Sequence, residues 1–156
     1  MGMEAVSDPR LEAAFVDVDG ALAQLRGVGV VPTDARDAIR VVRRLEHVSR
    51  QVYGLQAGLV GEIDRRGLFR ADGHKSVRAM VGWAADLSPG DATKRARAAK
   101  VLRDLPSVAA AVAAGAISVS TLDRIGSTYA KDRVREQLVA SEADLAVVAA
   151  AISYRE

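Results

Sequence analysis

Residues 65–103 hold ten Lys or Arg (Arg65, Arg66, Arg70, Lys75, Arg78, Lys94, Arg95, Arg97, Lys100 and Arg103) against three acids (Asp72, Asp86 and Asp91), a net +7. The flanks are mildly acidic, −3 over residues 1–64 and −2 over 104–156, so the overall +2 conceals a basic middle. Lys94, Arg97 and Lys100 recur at three-residue steps and would stack on one helix face, with Thr93 and Arg95 beside them. Like charges one turn apart repel unless an anion neutralises them. The chemistry such a set supports is phosphate contact, each engaged cation adding about 0.9 to the salt slope of duplex binding. The bland alternative is a solvated face that keeps an Ala-rich helix in solution.

Catalytic and metal chemistry find little support. The absence of cysteine removes disulfides, thiolate metal sites and a Cys nucleophile, and is compatible with a reducing cytoplasm. His47 and His74 are the only histidines and lack ligand spacing; His74 reads as an exposed loop residue, His47 as surface or hairpin packing. Asp17 and Asp19 are two apart on a helix and point to different faces, which does not suit a paired-carboxylate site. Ser118 and Ser120 read as helix caps, and Gly90 lacks the Gly-Lys of a phosphate loop. The expectation is a non-catalytic protein with no metal and no cofactor.

The elements that must position the cations read as helices throughout. Ala, Val and Leu dominate a 49% hydrophobic composition with only 4% aromatics, which favours an all-α protein, and no segment alternates as a strand does. Residues 8–26 form a first helix, entered through Asp8-Pro9 and broken by Gly27, Gly29 and Pro32. Thr33 caps a second helix running to about Arg66, with Gly54, Gly58 and Gly61 marking a kink or a close crossing by the first helix. The two make a long antiparallel hairpin over residues 8–66, which could also carry a homodimer contact.

Residues 67–156 follow as a helical domain, not sharply separated from the hairpin. Residues 68–75 read as a loop; Ser76 caps a short helix to about Asp86, and Ser88-Pro89 opens the basic helix to about Arg103. Two short helices joined by a tight turn have the layout of a helix-turn-helix, Asp86 taking the left-handed position where Gly is more usual. Its second helix buries Ala92, Ala96, Ala99 and Leu102, and Trp83 packs in the core of the first. Further helices are expected at 107–114, from Ser118 or Ser120 to Tyr129, at 131–139 and at 142–154, Ser141 capping the last.

Several short runs, in order, carry a resemblance. Gly73-His74-Lys75-Ser76-Val77, Trp83, Leu87-Ser88-Pro89-Gly90-Asp91-Ala92 and Arg97-Ala98-Ala99-Lys100-Val101-Leu102 lead through Leu105-Pro106 to Gly115-Ala116-Ile117-Ser118. This resembles the actinobacterial 13E12-repeat family, the domain of unknown function numbered 222, over residues 8–154. The resemblance implies a mobile-element-associated protein whose helical region precedes an HNH endonuclease domain, the nuclease half being absent here. Residues 76–125 are also similar to the helix-turn-helix of ParB-type partition proteins. Together these imply a partner in double-stranded DNA, with Lys94, Arg97 and Lys100 on phosphates and Thr93, Lys94 or Arg95 at base edges. Lys75 and Arg78 would hold the flanking backbone.

The N-terminus lacks a signal peptide, and the uncharged run Leu105–Leu122 contains Pro106 and Gly115, so no membrane segment is expected and the chain should be cytoplasmic. Met1-Gly2-Met3 reads as a remnant before a native start at Met3. Glu156 follows no helix-stop signal, as in a fragment of something longer.

Overall fold

A computed structural model describes residues 4–152; the expectations for Met1–Met3 and for a last helix reaching 154 fall outside them. All regular structure among these residues is helical: α1 (Pro9–Val28), α2 (Ala35–Arg66), α3 (Leu68–Ala71), α4 (Val77–Ala84), α5 (Pro89–Asp104), α6 (Pro106–Ala113), α7 (Val119–Tyr129), α8 (Asp132–Ala140) and α9 (Glu142–Ala151). None of these helices is long and apolar enough to cross a membrane. Compact packing divides the chain within α2, between Arg44 and Leu45.

In the first unit Asp8 caps α1 by accepting from the Arg10 N–H at 2.8 Å, with Pro9 next. The helix continues through Gly27 and stops at Gly29, whose φ is +78°. α1 buries none of its residues, and Leu11, Phe15, Val18, Leu22 and Leu25 stand exposed. Asp34, not Thr33, caps α2, accepting from the Asp37 N–H at 2.7 Å; Asp37 reaches back to the Thr33 N–H at 3.1 Å, completing a reciprocal cap. That bond, first among the causes, holds the Asp37 carboxyl below its ordinary value.

The second unit comprises the rest of α2 and everything after it. Its core joins Ala57 to Ala98, Val101, Leu105, Val108, Val112, Ile117, Leu122 and Ile125, with Tyr129, Ala146 and Ala149 closing it. A second cluster of Val60, Phe69, Val77 and Ala99 ties α2 to α3, α4 and α5. Two of the α2 glycines face helices of this unit. A Cβ at Gly54 would stand 3.0 Å from Val112 Cγ1, and one at Gly61 3.7 Å from the Ala99 carbonyl, so α6 and α5 approach there; at Gly58 nothing lies within 4 Å.

Residues 68–71, expected as loop, form the single turn of α3, entered through left-handed Gly67 and anchored by buried Phe69. α4 starts at Ser76 as expected but ends two residues early. There Asp86 adopts φ +48°, and the Leu87 N–H returns to the Gly82 carbonyl at 2.9 Å, so the stop is a Schellman turn with Asp in the glycine position. Gly115 ends α6 in the same way, the Ala116 N–H reaching the Ala111 carbonyl at 2.9 Å. His47 packs there: a Cβ on Gly115 would fall 2.6 Å from its Nδ1.

Ser141 does not cap α9; its hydroxyl donates back to the Gln137 carbonyl at 2.8 Å. The acidic first turn of α9 serves α6 instead. Glu142 accepts from the Ser107 N–H at 2.9 Å and the Ser107 hydroxyl at 2.7 Å, meeting donors that α6 cannot satisfy internally.

Candidate nucleic-acid interface

The basic helix α5 is central to the second unit. Ser88 caps it, accepting from the Asp91 N–H at 3.1 Å and donating to the Asp91 carboxylate at 2.7 Å; the second bond is the main reason that carboxyl titrates below its ordinary value. Four residues of α5 are buried, Ala92, Ala98, Ala99 and Val101, a wider arc than the expected Ala92-Ala96-Ala99-Leu102 seam. Ala96 and Leu102 are only half-buried. The helix is flanked by α2, α4, α6 and α7, so one strip remains for solvent. α7 crosses closely: a Cβ on Gly126 would come within 3.3 Å of Arg97 Cβ.

That strip is the floor of a groove of about 500 Å³. Thr93, Arg97, Lys100 and Arg103 line it from α5, Lys75 from the loop before α4, Arg78 from its first turn, and Arg135 from α8. Asp64 is its acidic lining residue, and buried Phe69, Val77 and Tyr129 supply apolar wall. Five of the expected residues, Lys75, Arg78, Thr93, Arg97 and Lys100, are thus brought together. Thr93 is half-buried, its hydroxyl engaged with the Pro89 carbonyl at 2.7 Å.

The other two lie elsewhere. Lys94 is exposed outside the groove lining, its Nζ 3.6 Å from Asp91. Arg95 turns toward α2, where its Nη1 donates to Gln56 Oε1 at 2.8 Å and its guanidinium lies 4.7 Å from the centre of the Tyr53 ring. It occupies a structural contact with α2. Burial raises the Tyr53 phenol above its ordinary value, with the Arg95 charge opposing.

Ion pairing sorts the remaining cations. Arg65 forms two bonds to Glu62, at 2.9 and 2.6 Å; Arg66 lies 4.0 Å from the same carboxylate, and Arg70 sits over Phe69. Lys75, Arg78, Arg97 and Lys100 form no ion pair among the described residues. Four cations without an ion pair therefore meet in one concavity, against the single carboxylate of Asp64, and low-dielectric walls strengthen the field toward an anion.

Two groove residues were not among the assigned contacts: Arg103, counted only in the basic stretch, and Arg135. Arg103 continues the three-residue series from Lys94 and could have been found by extending it. It is held by Asp104, Nε to Oδ1 at 2.6 Å and Nη2 to Oδ2 at 3.0 Å. Asp104 also accepts from the Tyr129 hydroxyl at 2.5 Å, so α5 is fastened to α7 at the groove's end. The Arg103 bonds, chiefly, hold the Asp104 carboxyl below its ordinary range, while burial first and Asp104 second push the Tyr129 phenol up. Arg135 donates to the Tyr129 carbonyl at 3.1 Å and lies 5.2 Å from its ring centre; no local pattern links it to α5 in the sequence.

Trp83 is not core. It is 74% exposed: α4 turns Val77, Val81 and Gly82 inward, the last against Ala92, and Trp83, about 200° round the helix from Val81, falls outside that arc. His74, expected to be exposed, is half-buried, with its ring 5.6 Å from that of Trp83 and its Nε2 3.2 Å from Asp72.

Neither a curated protein nor a solved structure matches the chain. The family described as "Domain of unknown function (DUF222)" matches residues 39–155, a span that contains every residue lining the groove, and the chain belongs to that family.

Proposed function

We propose that this domain is a non-catalytic DNA-binding module that holds phosphates in the cationic groove. One observation carries the reading: Lys75 and Arg78 at the entry to α4 and Arg97 and Lys100 on α5 meet in one concavity and form no ion pair among the described residues. A polyanion relieves their mutual repulsion, and nucleic acid presents phosphates at the density such a cluster needs. α4, the Asp86 turn and α5 act as a helix-turn-helix whose second helix faces the backbone, so contacts position more than they specify. By its resemblance to HNH-associated, mobile-element proteins, the module engages DNA in the cytoplasm for a nuclease domain that does the cutting.

Fluorescence anisotropy with labelled duplex DNA at several salt concentrations tests this. The wild type binds with a steep salt slope. Combined Arg97→Ala and Lys100→Ala lowers the slope by about 2, at about 0.9 per phosphate contact. Absence of binding at low salt to duplex and single-stranded DNA alike, or an unchanged slope in the double variant, would overturn the reading.

A second reading, homodimerisation through a hairpin of α1 and α2, is favoured by α1, whose apolar residues are all left exposed. It is separable from the first by sedimentation: a dimer indifferent to salt and to the groove substitutions belongs to it.

A further inference from the structure

Trp83 is the chain's single tryptophan, and 74% of it faces solvent. Burying a large apolar side chain is worth roughly 1.5–3 kcal/mol, so an indole left in water forgoes a substantial stabilisation. The ring is not loose on the surface. His74 lies against it with the two planes at 43°, and His74 is itself fixed by Asp72 and by its own N–H donating to the Phe69 carbonyl at 2.9 Å.

The aromatic pair neighbours the groove along the chain, although neither ring lines it. His74 directly precedes Lys75, and Trp83 lies on the helix whose first residues, Val77 and Arg78, line it, ~9 Å along the axis from Val77. A cationic channel for the backbone beside an exposed aromatic face for the bases is the combination by which proteins hold unpaired strands. A base inside a duplex already has stacking neighbours on both faces and offers Trp83 nothing without unstacking.

We propose that the groove and the Trp83–His74 pair together bind single-stranded DNA, phosphates on Arg97, Lys100, Lys75 and Arg78 and a base stacked on the indole. This rests on the DNA-binding reading above and narrows its substrate to a strand that is open, frayed or branched.

The test uses the whole chain with labelled oligo-dT of about fifteen nucleotides and a duplex of equal length. Anisotropy reports binding, and intrinsic fluorescence reports the lone tryptophan. Oligo-dT is expected to bind at least as tightly as duplex, with Trp83 emission quenched in step with anisotropy. Trp83→Ala weakens oligo-dT binding roughly five- to 150-fold and leaves the salt slope unchanged; Trp83→Phe restores most of the loss. Duplex binding more than tenfold tighter than oligo-dT, or a saturated oligo-dT complex with unquenched Trp83, overturns this inference while the DNA-binding reading stands. Failure of both DNAs to bind removes that reading itself. Oligo-U binding tenfold tighter than oligo-dT would reassign the strand to RNA and overturn the proposal for DNA.

Discussion

The Arg95 guanidinium carbon stands 4.7 Å from the centre of the Tyr53 ring, and Nη1 of the same group donates to Gln56 at 2.8 Å. Two residues further along α5, Arg97 has no such partner and lines the groove. Neighbouring cations on one helix therefore do opposite work. Arg95→Ala should cost about 1–2 kcal/mol of stability, from the lost cation–π contact and hydrogen bond, and leave DNA affinity within about twofold. Arg97→Ala should do the reverse, weakening DNA binding while stability stays within about 0.5 kcal/mol. Urea titration and anisotropy on the two variants check the crossover.

Asp104 predicts a pH dependence. Its carboxyl is held below the ordinary Asp range, first by Arg103 and also by Tyr129, so it favours the folded state while ionised. A depressed folded value means that this contribution is complete above the ordinary range and disappears as pH falls through the depressed value. At neutral pH Asp104→Asn should lower stability by about 1–3 kcal/mol, because it removes charge-assisted bonds to two partners. The gap between wild type and variant should close in strongly acidic buffer, as followed by thermal unfolding across pH.

Gly115 predicts a severe and divisible loss. Its φ of +70° disfavours any Cβ, and the added atom would fall 2.6 Å from His47 Nδ1. Gly115→Ala should cost about 2–4 kcal/mol, combining left-handed strain with overpacking. Adding His47→Ala should recover the part owed to the imidazole and leave about 1–2 kcal/mol of backbone strain together with the tight 3.1 Å approach to the His47 carbonyl. The double-mutant cycle by chemical denaturation measures the division.

Helix boundaries were legible wherever a polar cap and a proline or glycine bracket an apolar run. Ser76, Ser88-Pro89 and Ser118 place three helix starts to within a residue, since the caps act locally on the backbone. Azimuth was harder. Trp83 and Arg95 both face away from their expected sides, because which face of a helix is buried depends on how many neighbours surround it. α5 has helices on most sides, so its alanines are buried over a wide arc, and a cation in that arc is drawn to Tyr53 and Gln56. The convergence of Lys75 and Arg78 with Arg97 and Lys100 was anticipated from the charge pattern and the helix-turn-helix layout together. The addition of Arg135 was not, since only the crossing of α7 over α5 brings α8 to the groove.

The bond from Glu142 to Ser107 spans 35 residues and joins the first turn of α9 to the first turn of α6. Ala146 and Ala149, from that last helix, complete the same core that holds α5. During synthesis the ribosome releases α5, with its cations, well before the segment that secures its surroundings. The core around α5 is therefore incomplete until residue 149 has emerged, and the cationic groove gains its full support only late in the translation of this unit.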